Sequence, residues 1–166
     1  MFNVSCIQLK SSDNIKENLL KTKRLIAKAI KQKADFILTP EVSSLFSLNK
    51  KKLLKICKSM QSDIYLNEIK KIAKEKKKWI LIGSLIIKIS NNRLVNRSVL
   101  IDKYGKIKSY YDKIHMYDVN LSKKEKYKES KTFLSGKKIK SATLPWGKIG
   151  LSVCYDLRFP NLYRKL

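Results

Sequence analysis

A chain of 166 residues with 43% hydrophobic and 9% aromatic content carries enough apolar material for one domain with a core, which excludes a disordered tail. Its 38 Lys and Arg against 13 Asp and Glu give a net charge of +25, a balance that raises nucleic acid or an anionic membrane surface as partners. Only 5 of those 38 are Arg, the residue suited to bidentate recognition of phosphates and bases. The lysines are also scattered along the chain, in a composition rich in Ile and poor in Ala and Gly, so a solvated, compositionally biased surface is the expectation.

Phe2 to Leu9 alternates in part and predicts a first strand. Ser11-Ser12-Asp13 offers an N-cap, and Ile15, Leu19, Ile26, Ala27 and Ile30 recur at helical spacing against a lysine-rich face. Ala34 to Thr39 is a short apolar run ended by Pro40, so the opening reads strand, helix, strand: a βαβ unit. A second helix is predicted from about Ser62 to Lys77, anchored by Ile64, Ile69 and Ile72. Trp79 to Ile87 is almost wholly apolar and predicts a central strand covered on both faces. Leu94 to Ile101 follows as a strand, and Lys106 to Tyr111 returns as its hairpin partner after the turn Asp102-Lys103-Tyr104-Gly105. Asp112 to Lys138 is long, polar and irregular, a pattern that usually marks function. Ile139 to Leu144 and Ile149 to Cys154 predict two strands around Pro145-Trp146-Gly147, and Phe159 to Leu166 reads as the opening of a helix. Strands outnumber the helices available to cover them, so one face of the sheet is expected to expose apolar surface.

The three cysteines, Cys6, Cys57 and Cys154, include no C-x-x-C pair, and His115 is the only histidine, so no zinc site is expected. An odd number of spaced cysteines, an N-terminus without a signal-peptide pattern and no membrane-length apolar run together predict a cytoplasmic protein off the membrane.

Cys154 follows the apolar Gly150-Leu151-Ser152-Val153 and precedes Tyr155-Asp156-Leu157-Arg158-Phe159-Pro160. A thiol at a strand-to-helix turn stands at the end of a rigid element, with the next backbone N–H aimed at a developing oxyanion. The alternative is a buried structural cysteine. Glu41, just past the strand that ends at Pro40, is either a proton-transfer carboxylate at the carboxyl edge of the sheet or an ordinary helix-start acid. His115 raises a Cys–His pair, against the commoner satisfied or surface histidine. Lys113 has no claim by itself among so many lysines.

Thr39-Pro40-Glu41, Tyr111-Asp112-Lys113-Ile114-His115 and Val153 through Pro160, in that order, resemble the three catalytic signatures of the nitrilase, or carbon–nitrogen hydrolase, superfamily. Ile82-Gly83-Ser84, Asn96-Arg97-Ser98, Tyr127-Lys128-Glu129-Ser130 and Gly136 are similar to further landmarks of that family. Within it, the Asp118-Val119 loop, Glu129-Ser130 and Arg158-Phe159-Pro160 resemble the deaminated-glutathione amidase and omega-amidase branch.

The resemblance implies an α/β fold, the four-layer α-β-β-α sandwich, with residues 1–166 forming one carbon–nitrogen hydrolase domain whose C-terminal portion is missing. It implies Cys154 as nucleophile, Glu41 as general base and Lys113 as third member. Glu129 and Tyr155 would support the site, and Arg158 would hold a substrate carboxylate or, as favoured, brace the turn with Asp156. His115 becomes a structural support of the Lys113 loop. The implied reaction cleaves a small non-peptide amide to an acid and ammonia through a cysteine thioester, without metal or organic cofactor. The implied substrate bears a carboxylate, and the full-length form is expected to be a homo-oligomer. A carbamoylase or nitrilase of the same superfamily shares the triad, and a basic nucleic-acid-binding protein is the alternative from another class. With its later strands and helices lacking, the chain by itself is expected to be poorly active.

Overall fold

The computed structural model describes residues 2–122 and 125–166. Five strands form one mixed sheet in the order β1 (Val4–Cys6), β2 (Phe36–Thr39), β3 (Trp79–Ser90), β4 (Arg93–Ile101) and β5 (Ile107–Asp112). The first two pairings are parallel and the last two antiparallel. Helix α1 (Ile15–Lys31) makes the crossover from β1 to β2, as the βαβ reading predicts, and α3 (Ile64–Lys76) precedes β3.

Both helices cover one face of the sheet. Ile26 and Ala29 of α1 meet Tyr65, Leu66, Ile69 and Ala73 of α3 over Ile37, Ile80, Ile82, Val99 and Ile101. Three details differ from the sequence expectation. The cap of α1 is Asn14, whose side chain accepts from the N–H groups of Lys16 and Glu17. Ser12 is occupied instead with the side chains of Glu17 and Asn18. The buried stripe of α1 includes polar Asn18 and Thr22 and leaves Ala27 outside. Asn18 donates to the carbonyls of Ser12 and Ser44, and Thr22 meets the Tyr65 hydroxyl at 2.8 Å, so satisfied hydrogen bonds replace apolar contact. In α3 the anchors are Tyr65, Leu66, Ile69 and Ala73, while Ile64, at the first turn beside the Asp63 cap, is 52% exposed.

On the other face Phe36, Trp79, Leu81, Leu100 and Tyr111 pack with Leu151 and Val153 from the segment before Cys154. A separate hairpin, β8 (Ser141–Leu144) with β9 (Gly147–Gly150), lies against it through Ala142, Leu144 and Ile149. Its coverage is partial. Phe2, Val4, Phe36, Leu144, Trp146 and Ile149 line an open apolar groove, with Phe2 and Trp146 stacked at 4.9 Å. The arrangement is α/β, with one helical layer, one main sheet and a facing strand pair among the described residues.

The segment between β5 and β8 is less irregular than its composition predicts. It forms a ribbon of β6 (Asp118–Asn120) and β7 (Lys126–Lys128), then a 3-10 turn at Glu129–Lys131. A short helix, α2 (Lys50–Ile56), also lies outside the sequence prediction; Leu53 is its buried residue. The predicted strand up to Cys154 ends at Gly150; a 3-10 turn runs Cys154–Arg158 before α4 (Pro160–Lys165). No helix among the described residues is long and apolar enough to cross a membrane.

Candidate active site

Four chain segments, carrying Glu41, Lys113, Glu129 and Cys154, converge beyond the end of β2. Glu41 stands on a turn stapled to a bulge in β3, where the β3–β4 register shifts between Ile82 and Leu85. The Val42 N–H donates to Ser84 Oγ at 2.8 Å, and the Ser84 N–H donates to the Pro40 carbonyl at 3.3 Å. The contact requires Gly83: a Cβ there would lie 2.2 Å from the Thr39 carbonyl oxygen. Val42 is held at φ 45° and Cys154 at φ 49°, a left-handed conformation that costs a non-glycine residue roughly 1–3 kcal/mol. The other two such residues among those described, Lys33 and Lys77, sit just past the ends of helices, where that conformation is ordinary. The remaining strain therefore falls on the predicted nucleophile and on the residue after the predicted base.

Lys113 extends β5 by one residue, its N–H donating to the Asn96 carbonyl at 2.9 Å. Its side chain is 2% exposed, and it is the single buried lysine among the described residues. The ammonium lies 2.8 and 3.0 Å from the two Glu129 oxygens and 3.2 Å from Glu41 Oε1. Glu129 is itself fixed by the Tyr117 N–H at 2.7 Å, and Glu41 Oε1 also accepts from Asn96 Nδ2 at 2.7 Å. Burial alone would push the Lys113 pKa down. The hydrogen bonds that Lys113 donates to Glu129 and the charges of Glu41, Glu129 and Cys154 outweigh it, and the pKa is raised.

Cys154 opens the 3-10 turn with its thiol beside Glu41 and near Lys113 and Glu129. Partial desolvation pushes the thiol pKa up and the Glu41 carboxylate adds to it, while Lys113 pulls down without cancelling them. Both influences favour the protonated sulfur beside the Glu41 carboxylate. The predicted residues Glu41, Lys113, Cys154 and Glu129 are brought together around one point.

Behind the nucleophile, Asp156 is fully buried. Its Oδ2 accepts from the Tyr111 hydroxyl at 2.8 Å and the Val153 N–H at 2.9 Å. Its Oδ1 accepts from the His115 N–H at 3.0 Å and lies 2.7 Å from His115 Nδ1. His115 stacks on Phe159 at 3.6 Å, and so is engaged in bracing the turn. Arg158 departs from the expectation that it braces Asp156. It is exposed, and no ion pair joins the two, because the Tyr111 hydroxyl, the Val153 and His115 N–H groups and the His115 ring already surround the carboxylate. Tyr155 makes edge contacts with Tyr117 at 5.1 Å and Phe159 at 5.5 Å, forming an aromatic wall beside Cys154.

Asn96 and Tyr111 carry no individual role in the sequence reading, and Asp156 enters it only as a partner for Arg158. A polar Asn inside the apolar Leu94–Ile101 run was the available signal for the first, since a strand buried on both faces retains a polar side chain only with a partner. Among the described residues, no cluster of three or more His, Cys, Asp or Glu could hold a metal ion.

A family model described as carbon-nitrogen hydrolase matches residues 3–166. The deaminated glutathione amidase of Yersinia enterocolitica is 34% identical over 167 residues, covering 99% of this chain and 58% of the relative. That of Dictyostelium discoideum is also 34% identical, covering 96% of this chain and 57% of the relative. The crystal structure of the C. elegans NitFhit protein superposes with a TM-score of 0.86 at 27% identity, over 98% of this chain and 41% of that one. The chain thus spans a little over half the length of these curated relatives.

Proposed function

The chain belongs to the carbon–nitrogen hydrolase family, and from that premise we propose that it supplies the Glu41–Lys113–Cys154 centre of an enzyme that hydrolyses small linear amides. The observation that carries this reading is the convergence of a strained, carboxylate-paired thiol with a buried ammonium.

The chemistry follows from the placement of protons. As the thiol attacks the amide carbon, Glu41 takes the Sγ–H proton, because thiolate is the reactive form. A C–S bond forms, and the carbonyl pair moves to oxygen. The Lys113 ammonium and the Tyr155 backbone N–H are the donors for that oxyanion, each worth about 3 kcal/mol in comparable sites. The C–N bond then breaks, the leaving nitrogen takes the proton from Glu41, and a thioester remains. Water gives its proton to Glu41 and attacks the thioester, releasing acid and restoring the thiol. Glu129 keeps Lys113 charged and aimed throughout.

Similarity to deaminated glutathione amidases supports an acidic amide as substrate. The exposed Arg158, just past the nucleophile turn, is a candidate partner for a substrate carboxylate. The net charge of +25 favours encounter with anions in general. The test follows acid formation from deaminated glutathione, 2-oxoglutaramate, an N-carbamoyl amino acid and a nitrile, using the protein carrying this chain. Turnover of the first two, abolished by Cys154→Ala, is the expected result. Undiminished turnover in Cys154→Ala overturns the proposal.

A further inference from the structure

We infer that Asn96 is a positioning residue for the hydrolytic centre, holding the Glu41 carboxylate with its side chain and the Lys113 backbone with its own carbonyl. The inference rests on the reading given under Proposed function. Asn96 lies in β4 opposite Ile86 of β3, one residue before the Arg97–Asp112 pair that ends the β4–β5 register. Its carbonyl accepts from the Lys113 N–H at 2.9 Å, and its Nδ2 donates to Glu41 Oε1 at 2.7 Å. One residue of a rigid central strand therefore sets both the height of Lys113 and the direction of Glu41.

The unpaired atom of the same side chain strengthens the point. Asn96 is 1% exposed, and its Oδ1 has no hydrogen-bond partner. A buried amide oxygen without a donor is a cost that a leucine of similar size would not carry. The orientation is nonetheless dictated, since rotating the amide would set Oδ1 against the carboxylate. Among the described residues, the only group the side chain serves is Glu41. Asn96 and Lys113 both donate to Oε1. That leaves Oε2 as the Glu41 oxygen without a bond from either, and therefore the one available to receive the Sγ–H proton.

The experiment compares parent, Glu41→Gln, Asn96→Leu and Asn96→Asp in the protein carrying this chain. Cleavage of deaminated glutathione and 2-oxoglutaramate is followed against pH, and Tm is measured for each. Asn96→Leu is expected to lose about 10- to 100-fold in kcat, as a displaced base does, with KM within about twofold of the parent and Tm not lowered. Asn96→Asp, the isosteric change, is expected to be impaired at neutral pH and to recover as pH falls. A proton shared between the introduced carboxyl and Glu41 then restores a donor. If the leucine variant does not fold, the aspartate pH profile decides: a profile parallel to the parent's overturns the inference. Asn96→Leu with parental kcat and a lowered Tm also overturns it, leaving a structural asparagine. If Glu41→Gln keeps parental turnover, the hydrolytic reading and this inference fail together. If Glu41→Gln is inactive while both Asn96 variants match the parent, the inference fails alone.

Discussion

Tyr111 and Asp156, 45 residues apart in the chain, meet through a 2.8 Å hydrogen bond inside the core. Tyr111 is the penultimate residue of the strand that leads into Lys113, and Asp156 lies inside the turn opened by Cys154. The bond therefore joins the supports of the ammonium and of the sulfur. The Tyr111 hydroxyl is raised well above the ordinary phenol range by burial and by the Asp156 carboxylate, so it stays a donor.

Asp156→Ala removes the acceptor for Tyr111, Val153 and His115 at once. Each buried donor left unpaired costs about 1–3 kcal/mol, and part of the turn can relax toward water, so a loss of about 3 kcal/mol is expected. Urea unfolding checks it: the midpoint falls with little change in slope. An unchanged midpoint would remove Asp156 from its place as the brace of the nucleophile turn.

Lys113→Met leaves Glu41 and Glu129 facing each other without their counter-ion. Breaking a buried pair in this way costs roughly 3–5 kcal/mol at neutral pH. The sign of the pH dependence follows from the raised Lys113 pKa. Its stabilisation is complete below the ordinary lysine value of 10.5 and is lost as pH rises through the higher folded value. The stability gap between parent and Lys113→Met is thus expected to be flat from neutral pH to about 10 and to close only in stronger alkali. Denaturant titrations of both proteins across that range measure it.

Much of the fold was legible because burial and periodicity coincide. Trp79 to Ile87 reads as a two-faced strand, and the structure buries nearly all of it. Helix α2 was not legible: it has one buried residue, Leu53, in a lysine run that gives no stripe. The β6–β7 ribbon was missed because its three-residue strands are too short and too exposed to show alternation. At the site, motif order singled out Glu41, Lys113 and Cys154. What distinguishes Lys113 from its many equivalents is burial between two carboxylates, a property of three-dimensional contact. The same holds for Asn96 and Asp156, whose roles depend on partners 55 and up to 45 residues away.

Gly83→Ala tests how tightly β3 sets the base. The added Cβ would meet backbone, the Thr39 carbonyl oxygen at 2.2 Å and the Pro40 carbonyl at 2.7 Å, and neither is a side chain that can swing aside. The Pro40–Glu41 turn must move. A stability loss of about 1–3 kcal/mol is expected from the overpacking. A displacement near 1 Å at Glu41 carries about a 100-fold loss of kcat. Tm and steady-state kinetics together check it, and parental kinetics would show that the turn accommodates the methyl without displacing the carboxylate.

The reactivity of the Cys154 sulfur can be read without a substrate. Desolvation and the Glu41 charge raise the Cys154 thiol above its ordinary value of 9.0, so little thiolate is present at neutral pH. Alkylation of Cys154 by iodoacetamide, read by peptide mass spectrometry, is expected to be slow near pH 7 and to climb until pH passes the raised value. Glu41→Gln removes a charge that opposes thiolate, and the Lys113 ammonium that favours it remains. In that variant the climb therefore begins at lower pH, so Cys154 alkylates faster near neutrality even as amide turnover is lost. Cys57, buried and pushed up to about 12, is an internal control that reacts only on unfolding. A Glu41→Gln profile shifted to higher pH would mean that the carboxylate favours the thiolate at rest, and that the sulfur is already ionised before substrate arrives.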